Sequence, residues 1–326
     1  MMTFIIDVKD RNILKELNIN SRQSYNAIAK KTRLSKNQIV YRINKMVSDG
    51  IITKFCAVIN HPKLGYHYYR YFFRLQFSDD DLIEKFVTFV KNLDNIYWVG
   101  LVEGKYNIIV ESVHNHVSHA INNYLSISQK FSDYISEKEL GLVAYGYTLH
   151  NNYVYNDFVS DVNVIRELHD GEKRYILDDK EKIIINALKE DSRVNVVELA
   201  KKTDLSTKTV MSKIKDFEKE KVIVKYRISL NHNIFGFEQH HVLLKLDYKN
   251  KIGVDEHLCE FLKMQKPIIR IVKPVGGFDI EFRCLVLNNY ELLSLIKQIK
   301  DKFNGLIRSY ESTLIVKTFP INTVKY

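Results

Sequence analysis

Ala29-Lys30-Lys31-Thr32-Arg33-Leu34-Ser35 is answered 171 residues later by Ala200-Lys201-Lys202-Thr203-Asp204-Leu205-Ser206. Working outward, residues 6–75 lie on 177–246 without a gap. Asp7 falls on Asp178, Leu17 on Leu188, Ser21-Arg22 on Ser192-Arg193, Asn60-His61 on Asn231-His232, and Leu75 on Leu246. A shift of 172 then carries Gly104 onto Gly276, Tyr106-Asn107-Ile108 onto Phe278-Asp279-Ile280 and Glu139 onto Glu311. The chain is a duplication with one small insertion between the registers, so the fold of one copy is the fold of the other.

Around the quoted stretch, Ile6, Ile13, Leu14 and Leu17 follow helical spacing behind Asp7, a side chain suited to capping the first turn. A second short helix holds Ile28 and Ala29 and ends near Thr32. A tight turn through Arg33-Leu34 then leads to Ser35, an N-cap for a third helix with Ile39, Ile43 and Met46 on its inner face. That helix stops at Asp49-Gly50, where glycine tolerates the left-handed conformation; copy two has Glu220-Lys221 there. Ile51 to Phe55 and Ala57 to Asn60 read as a small hairpin. Three helices and a two-stranded wing make a winged helix-turn-helix.

The second half of each copy reads strand, helix, strand, strand, helix, strand: 68–77, 79–93, 96–102, 106–113, 116–131 and 134–147, repeated over 241–319. This βαββαβ order is ferredoxin-like, an antiparallel sheet with both helices on one face. The strand Tyr66-His67-Tyr68-Tyr69-Arg70-Tyr71-Phe72-Phe73 is aromatic on both faces, so the sheet is expected to pack against another sheet. The expected organisation is α+β and pseudo-dimeric. Its parts are a winged helix-turn-helix at 1–61, a ferredoxin-like domain at 62–150, a bridge at 151–176, a second winged helix-turn-helix at 177–232, and a second ferredoxin-like domain at 233–326. In the bridge, Phe158, Val162, Ile165 and Leu168 suggest a short amphipathic helix.

Composition narrows the function. The 326 residues are 45% hydrophobic with a net charge of +10, enough to build real cores. Residues 1–60 hold 11 Lys+Arg against 4 Asp+Glu, and residues 177–231 hold 13 against 10. Those two windows carry the whole basic excess, the footprint of nucleic-acid contacts or of a Lys-rich surface. No stretch approaches the length of a membrane helix, and the start lacks the features of a signal peptide. Cys56, Cys259 and Cys284 are scattered, which argues for a reducing interior and against a disulfide scaffold or cysteine-ligated zinc. A cytoplasmic location is expected.

With Ile39, Ile43 and Met46 turned inward, the third helix shows Lys36, Asn37, Gln38, Tyr41, Arg42 and Lys45 outward. Asn and Gln can pair bidentately with adenine, Arg with guanine, and Lys with guanine or phosphate. The matching set in copy two is Thr207, Lys208, Thr209, Ser212, Lys213 and Asp216, which is shorter and includes an acid. Copy one is thus expected to discriminate sequence and copy two to grip the backbone. The bland alternative is a solvated polar helix face. The order of parts resembles the Lrp/AsnC (feast/famine) family, on Asp7-x-x-Asp10-Arg11-x-Ile13-Leu14-x-x-Leu17, Ser21-Arg22, Ile28-Ala29, Leu34-Ser35, Arg42-Ile43, Gly50-Ile51-Ile52 and Leu64-Gly65. The resemblance covers both copies; the tandem arrangement departs from the usual single unit, which dimerises through its ferredoxin-like (RAM) domain.

The resemblance implies a sequence-specific, double-stranded-DNA-binding transcription regulator that needs no cofactor. It also implies a small effector, typically an amino acid, bound at the hairpin between the second and third strands of each ferredoxin-like domain. Here those hairpins offer Gly104, Tyr106 and Asn107, and Gly276, Phe278 and Asp279. Turn geometry explains the same glycines and Asn/Asp residues without a ligand. Siroheme decarboxylases share the fold and pair two such units; on that alternative His67, Arg70 or His241 would face a tetrapyrrole. The triad His114, His116 and His119 has metal-like spacing but sits at a helix start, where capping serves as well. Operator, effector, sign of regulation and assembly beyond the intrachain pair are not written in the sequence.

Overall fold

The computed structural model describes residues 6–76, 79–155, 163–165, 174–248, 253–319 and 321–326. Copy one runs α1 Val8–Ile19, α2 Tyr25–Thr32, α3 Lys36–Ser48, β1 Ile52–Ile59, β2 His67–Leu75, α4 Asp80–Lys91, β3 Ile96–Glu103, β4 Ile108–His114, α5 Val117–Lys130 and β5 Ile135–Thr148. A one-turn helix α6 (Asn152–Tyr155) and a short strand β6 (Asn163–Ile165) follow. Copy two runs α7 Asp179–Glu190, α8 Val196–Thr203, α9 Thr207–Lys219, β7 Ile223–Leu230, β8 Glu238–Leu246, α10 Val254–Lys263, β9 Ile268–Val275, β10 Ile280–Val286, α11 Asn289–Lys302 and β11 Ile307–Phe319. Two helix-turn-helix heads and two ferredoxin-like units thus alternate. The bridge differs from its expected form: 163–165 is a strand on β5, and Phe158, Val162 and Leu168 lie outside the described residues.

The wing is not a hairpin within one copy. Ile52 to Ile59 is one uninterrupted strand, and β1 pairs antiparallel with β7 of the other copy. Cys56 lies opposite Arg227, its own repeat equivalent, so the pseudo-two-fold axis passes through that pair. The physical reason is burial. Ile52 packs in the first head's core with Ile13, Leu17, Ile39 and Ile43, whereas Ala57 and Ile59 pack in the second head's core with Ile184, Leu188 and Phe217. One strand serves two cores, and a local turn would remove it from one of them.

The ferredoxin-like sheets also join more closely than by face-to-face packing. β5 pairs with β2 over its first half and with β9 of the other copy over its second half. β11 likewise pairs with β8 and then with β3. The order β5-β2-β4-β3-β11-β8-β10-β9 therefore returns to β5 and closes an antiparallel barrel. Closure removes the exposed strand edges that two separate sheets would present. Along β2, Tyr69, Tyr71 and Phe73 pack beneath α4 and α5, while Tyr68, Arg70 and Phe72 face the barrel interior. The interior holds a buried ionic network from both copies: Glu111 Oε1 accepts from Arg283 Nη2 at 2.5 Å, Glu111 Oε2 from Arg270 at 3.3 Å, and Arg70 bridges Glu111 and Glu281. His241 Nε2 lies 3.1 Å from Glu281. Burial and the neighbouring Arg70 and Arg283 drive the His241 pKa far down, so the ring is neutral.

Candidate nucleic-acid interface

Each recognition helix is started by its own sequence. Ser35 accepts from the Gln38 N–H at 3.2 Å, and the Gln38 side-chain oxygen accepts from the Ser35 N–H at 2.9 Å, a closed capping box. In copy two Ser206 accepts from the Thr209 N–H at 3.1 Å. The turn between the second and third helix puts Arg33 and Asp204 in the left-handed region, at φ 56° and 51°. Ile39, Ile43 and Met46 are buried, as are Val210, Ile214 and Phe217. Amphipathic periodicity thus turns one face down and leaves the other to solvent.

On the outward face Lys36, Asn37, Gln38, Tyr41 and Lys45 are exposed, Tyr41 by 67%. Gln38 keeps only its amide –NH2 for a base, because its oxygen closes the capping box. Lys45 forms an i,i+4 pair with Asp49 at 3.1 Å that solvent screens. In copy two Thr207, Lys208 and Ser212 are exposed with Asp216, and the Thr209 hydroxyl bonds Ser206 at 2.8 Å.

Arg42 and Lys213 differ from expectation. Arg42 Nη1 bridges Asp7 Oδ2 at 2.9 Å and Asp10 Oδ1 at 2.7 Å, and its side chain is only 24% exposed. Lys213, its repeat equivalent, bridges Asp178 at 2.9 Å and Glu181 at 3.0 Å. Both tie the recognition helix to the N-terminus of the first helix. The hydrogen bond to Asp10 raises the Arg42 pKa, and the Lys213 pKa rises too, burial being outweighed by Asp178 and Glu181. Acids at a helix N-terminus are favoured by its dipole, so the clamp joins two stabilised partners. The recurrence of Asp7 and Arg42 as Asp178 and Lys213 was a sequence signal for it.

The heads are joined across the axis by reciprocal contacts. Ser21 Oγ meets Ser192 Oγ, its own equivalent, at 2.6 Å. Arg193 donates to the Ser21 carbonyl at 2.6 Å, and Arg22 donates to the Ser192 carbonyl. The Ser21 N–H reaches the Tyr226 carbonyl at 3.1 Å and the Ser192 N–H the Phe55 carbonyl at 3.0 Å. With the β1–β7 ladder, these contacts fix one recognition helix relative to the other.

At the hairpins the side chains proposed for an effector are tied to the backbone. Asn107 Oδ1 accepts from the Leu75 N–H at 2.8 Å while its Nδ2 donates to the Leu75 carbonyl at 2.9 Å; Asp279 Oδ2 accepts from the Leu246 N–H at 2.7 Å. These are strand-end pins. Gly276 takes φ 130°, while Gly104 is close-packed: a Cβ there would sit 2.9 Å from Thr313 Oγ1. Tyr106, which donates to Glu139 at 2.8 Å, and Phe278 line a narrow pocket of about 20 Å³. The histidines of the 114–119 triad also have structural partners. His116 caps α5, and His114 is buried 3.5 Å from the Tyr71 hydroxyl. Among the described residues, no group of three or more His, Cys, Asp or Glu is placed to hold a metal.

The family model described as "Winged helix-turn-helix DNA-binding" matches residues 6–53 and 177–224, the two heads. The proline dehydrogenase transcriptional activator of Rhodobacter capsulatus is 30% identical over 111 residues, which is 34% of this chain and 72% of that protein. The chain belongs to the Lrp/AsnC family. A second relative, the HTH-type transcriptional regulator FL11 of Pyrococcus furiosus, is 27% identical over 140 residues, 43% of this chain and 87% of the relative. Such relatives match one copy's length, so this Lrp/AsnC chain carries two family units in tandem. The fold of the siroheme decarboxylase NirDL covers 98% of this chain and 94% of its own, with TM-score 0.65 and 13% identity. That likeness shows a shared tandem architecture. No helix among the described residues is long and apolar enough to cross a membrane.

Proposed function

We propose that this DNA-binding regulator acts as an intrachain pseudo-dimer, with two unequal heads reading the two halves of one asymmetric operator. The observation that carries the reading is an exposed Lys36-Asn37-Tyr41 face on a head tied to its sister by the β1–β7 ladder and the Ser21–Ser192 contact. A helix of this kind fits the major groove, and fixed heads impose a fixed half-site spacing. Copy one supplies base contacts through Asn37, Gln38 and Lys36; copy two, with Thr207, Lys208 and Ser212, supplies backbone grip. Arg42 and Lys213 act as positioning residues that hold the helices at the angle at which the others reach DNA. Neutralising about six phosphates gives a log K against log salt slope near −5, and a slope near zero excludes DNA as the partner.

Modulation by an amino acid at the hairpins receives less support, because one oxygen of Asp279 already accepts from the Leu246 N–H and Asn107 is pinned to Leu75 through both its side-chain oxygen and its amide nitrogen. The enzymatic reading rests on the NirDL-like architecture. Against it, Arg70 and His241 are both drawn into the ionic network with Glu111 and Glu281. A Soret shift on adding siroheme to the purified chain, with no retardation of genomic DNA fragments, would favour the enzyme.

A further inference from the structure

Between the β1–β7 ladder and the mouth of the barrel lies a cavity of about 280 Å³, at the small end of the range for small-molecule sites. It sits on the pseudo-two-fold axis, because three pairs of repeat equivalents line it: Cys56 with Arg227, Val58 with Ser229, and Trp98 with Arg270. At all three positions the copies have diverged, and the cavity has two unlike walls as a result. Copy two contributes Lys189, Arg227 and Arg270; copy one contributes Tyr68, Tyr97 and Trp98, with Lys54 beside them. No carboxylate is among the described residues that line it.

The cationic wall is strongly polarised. Lys189 is buried, donates to the Val324 carbonyl at 2.5 Å, and lies 3.7 Å from Glu190. Burial holds its pKa below the ordinary lysine value, and burial, with a smaller contribution from Lys189, drives the pKa of His61 down to about 3. A bound anion would favour the charged form of Lys189. Arg270 belongs to a network of three guanidiniums, Arg70, Arg270 and Arg283, held by Glu111 and Glu281 with a neutral His241. The opposite wall is an edge-to-face aromatic cluster: Tyr68 and Tyr97 are 5.4 Å apart at 90°, and His61 stands 5.1 Å from Tyr68. Such a wall takes a planar ring by stacking or edge contact.

We propose that this cavity binds a small organic anion built on one planar ring, an aromatic carboxylate, with its ring against Tyr68, Tyr97 and Trp98 and its carboxylate toward Arg227 and Lys189. Charge-assisted pairing of guanidinium with carboxylate is the strongest recognition these side chains offer. A free amino acid suits the site poorly, since its ammonium would face four cations while the nearby carboxylates, Glu190 on Lys54 and Lys189 and Glu111 on Arg270, are already engaged. The occupant would touch Lys54, Cys56, Arg227 and Ser229, all on the ladder that joins the heads. Its effect on DNA affinity rests on the proposed function; its binding does not.

Trp98 is the only tryptophan in the chain and stands in the cavity wall, so its emission reads occupancy. The full chain is titrated with benzoate, phenylacetate, phenylalanine, phenethylamine and inorganic phosphate. The expected result is a saturable change with phenylacetate or benzoate, none with phenethylamine, and an apparent Kd raised about tenfold or more in Arg227→Gln. Lys54→Gln, at the cavity rim, provides a second variant if thermal melting shows Arg227→Gln to be unfolded. No saturable change with either carboxylate, or unchanged affinity in the variants, overturns the site. Phenylalanine binding as tightly as phenylacetate overturns the anion assignment, and phosphate binding more tightly than both carboxylates overturns the ring. A parallel DNA titration with and without phenylacetate tests the coupling alone, and its failure leaves the emission result standing.

Discussion

Replacing Arg42 by alanine separates clamping from base reading. One guanidinium nitrogen holds Asp7 at 2.9 Å and Asp10 at 2.7 Å, with the side chain 24% exposed. Exposed ion pairs contribute about 0.2–1 kcal/mol each, and hydrogen bonds to charged groups about 1.5–3 when sheltered. Partial shelter places the loss at roughly 1–2 kcal/mol for both contacts together. Urea unfolding followed by far-ultraviolet circular dichroism reads that loss, and a double-mutant cycle with Asp10→Ala recovers a coupling of about 0.5–1 kcal/mol. In fluorescence anisotropy with duplexes selected from random DNA, Arg42→Ala weakens every sequence by a similar factor, because the whole helix shifts. Tyr41→Ala, by contrast, removes a side chain 67% exposed, leaves stability within about 0.5 kcal/mol and weakens DNA. The reasoning is refuted if Arg42→Ala leaves unfolding unchanged while it relaxes preference at a single base pair.

Acid should destabilise the fold in the window set by His61. The unfolded ring takes a proton near pH 6.5 and the buried ring only near pH 3, so stability is complete above 6.5 and declines as pH falls. At pH 5 the loss from this group is about 2 kcal/mol, and His61→Gln should flatten the melting-temperature profile between pH 7 and 5 by that amount. Lys221 takes φ 60° where copy one has Gly50 at φ 71°; Lys221→Gly should raise the urea midpoint by about 0.5–1 kcal/mol equivalent. Glu111→Gln leaves Arg270 and Arg283 buried with a neutral partner and should cost about 3–5 kcal/mol in thermal or urea unfolding.

What could be read from the sequence was whatever has a short period or a repeat. Ile39, Ile43 and Met46 turn inward because a 3.6-residue period demands it, and the 171-residue register exposed the tandem heads. The wing is not legible from local sequence, because the partner of Cys56 is Arg227, far away in the chain. Even so, the run from Ile51 to Ile59 holds no Gly, Pro or Asn to make a turn. Barrel closure left a trace in strand length: β5 and β11 span 14 and 13 residues, against 7 to 9 for the strands between which they run. The Arg42 clamp and the Asn107 and Asp279 pins are tertiary contacts that make a polar side chain unavailable; only the clamp left a trace, in the recurrence of Asp7 and Arg42 as Asp178 and Lys213. Glu111 meeting Arg283, its repeat equivalent, shows what duplication permits: identical halves would set like charges against each other there.

Hydroxyl-radical footprinting of a selected operator, titrated with the intact chain at known stoichiometry, tests the two-headed account most directly. One chain per duplex should protect two unequal patches on one face of the DNA, with Asn37→Ala erasing the more sequence-dependent patch and Lys208→Ala the other. A single patch per chain, or two patches that both survive these substitutions, would contradict it.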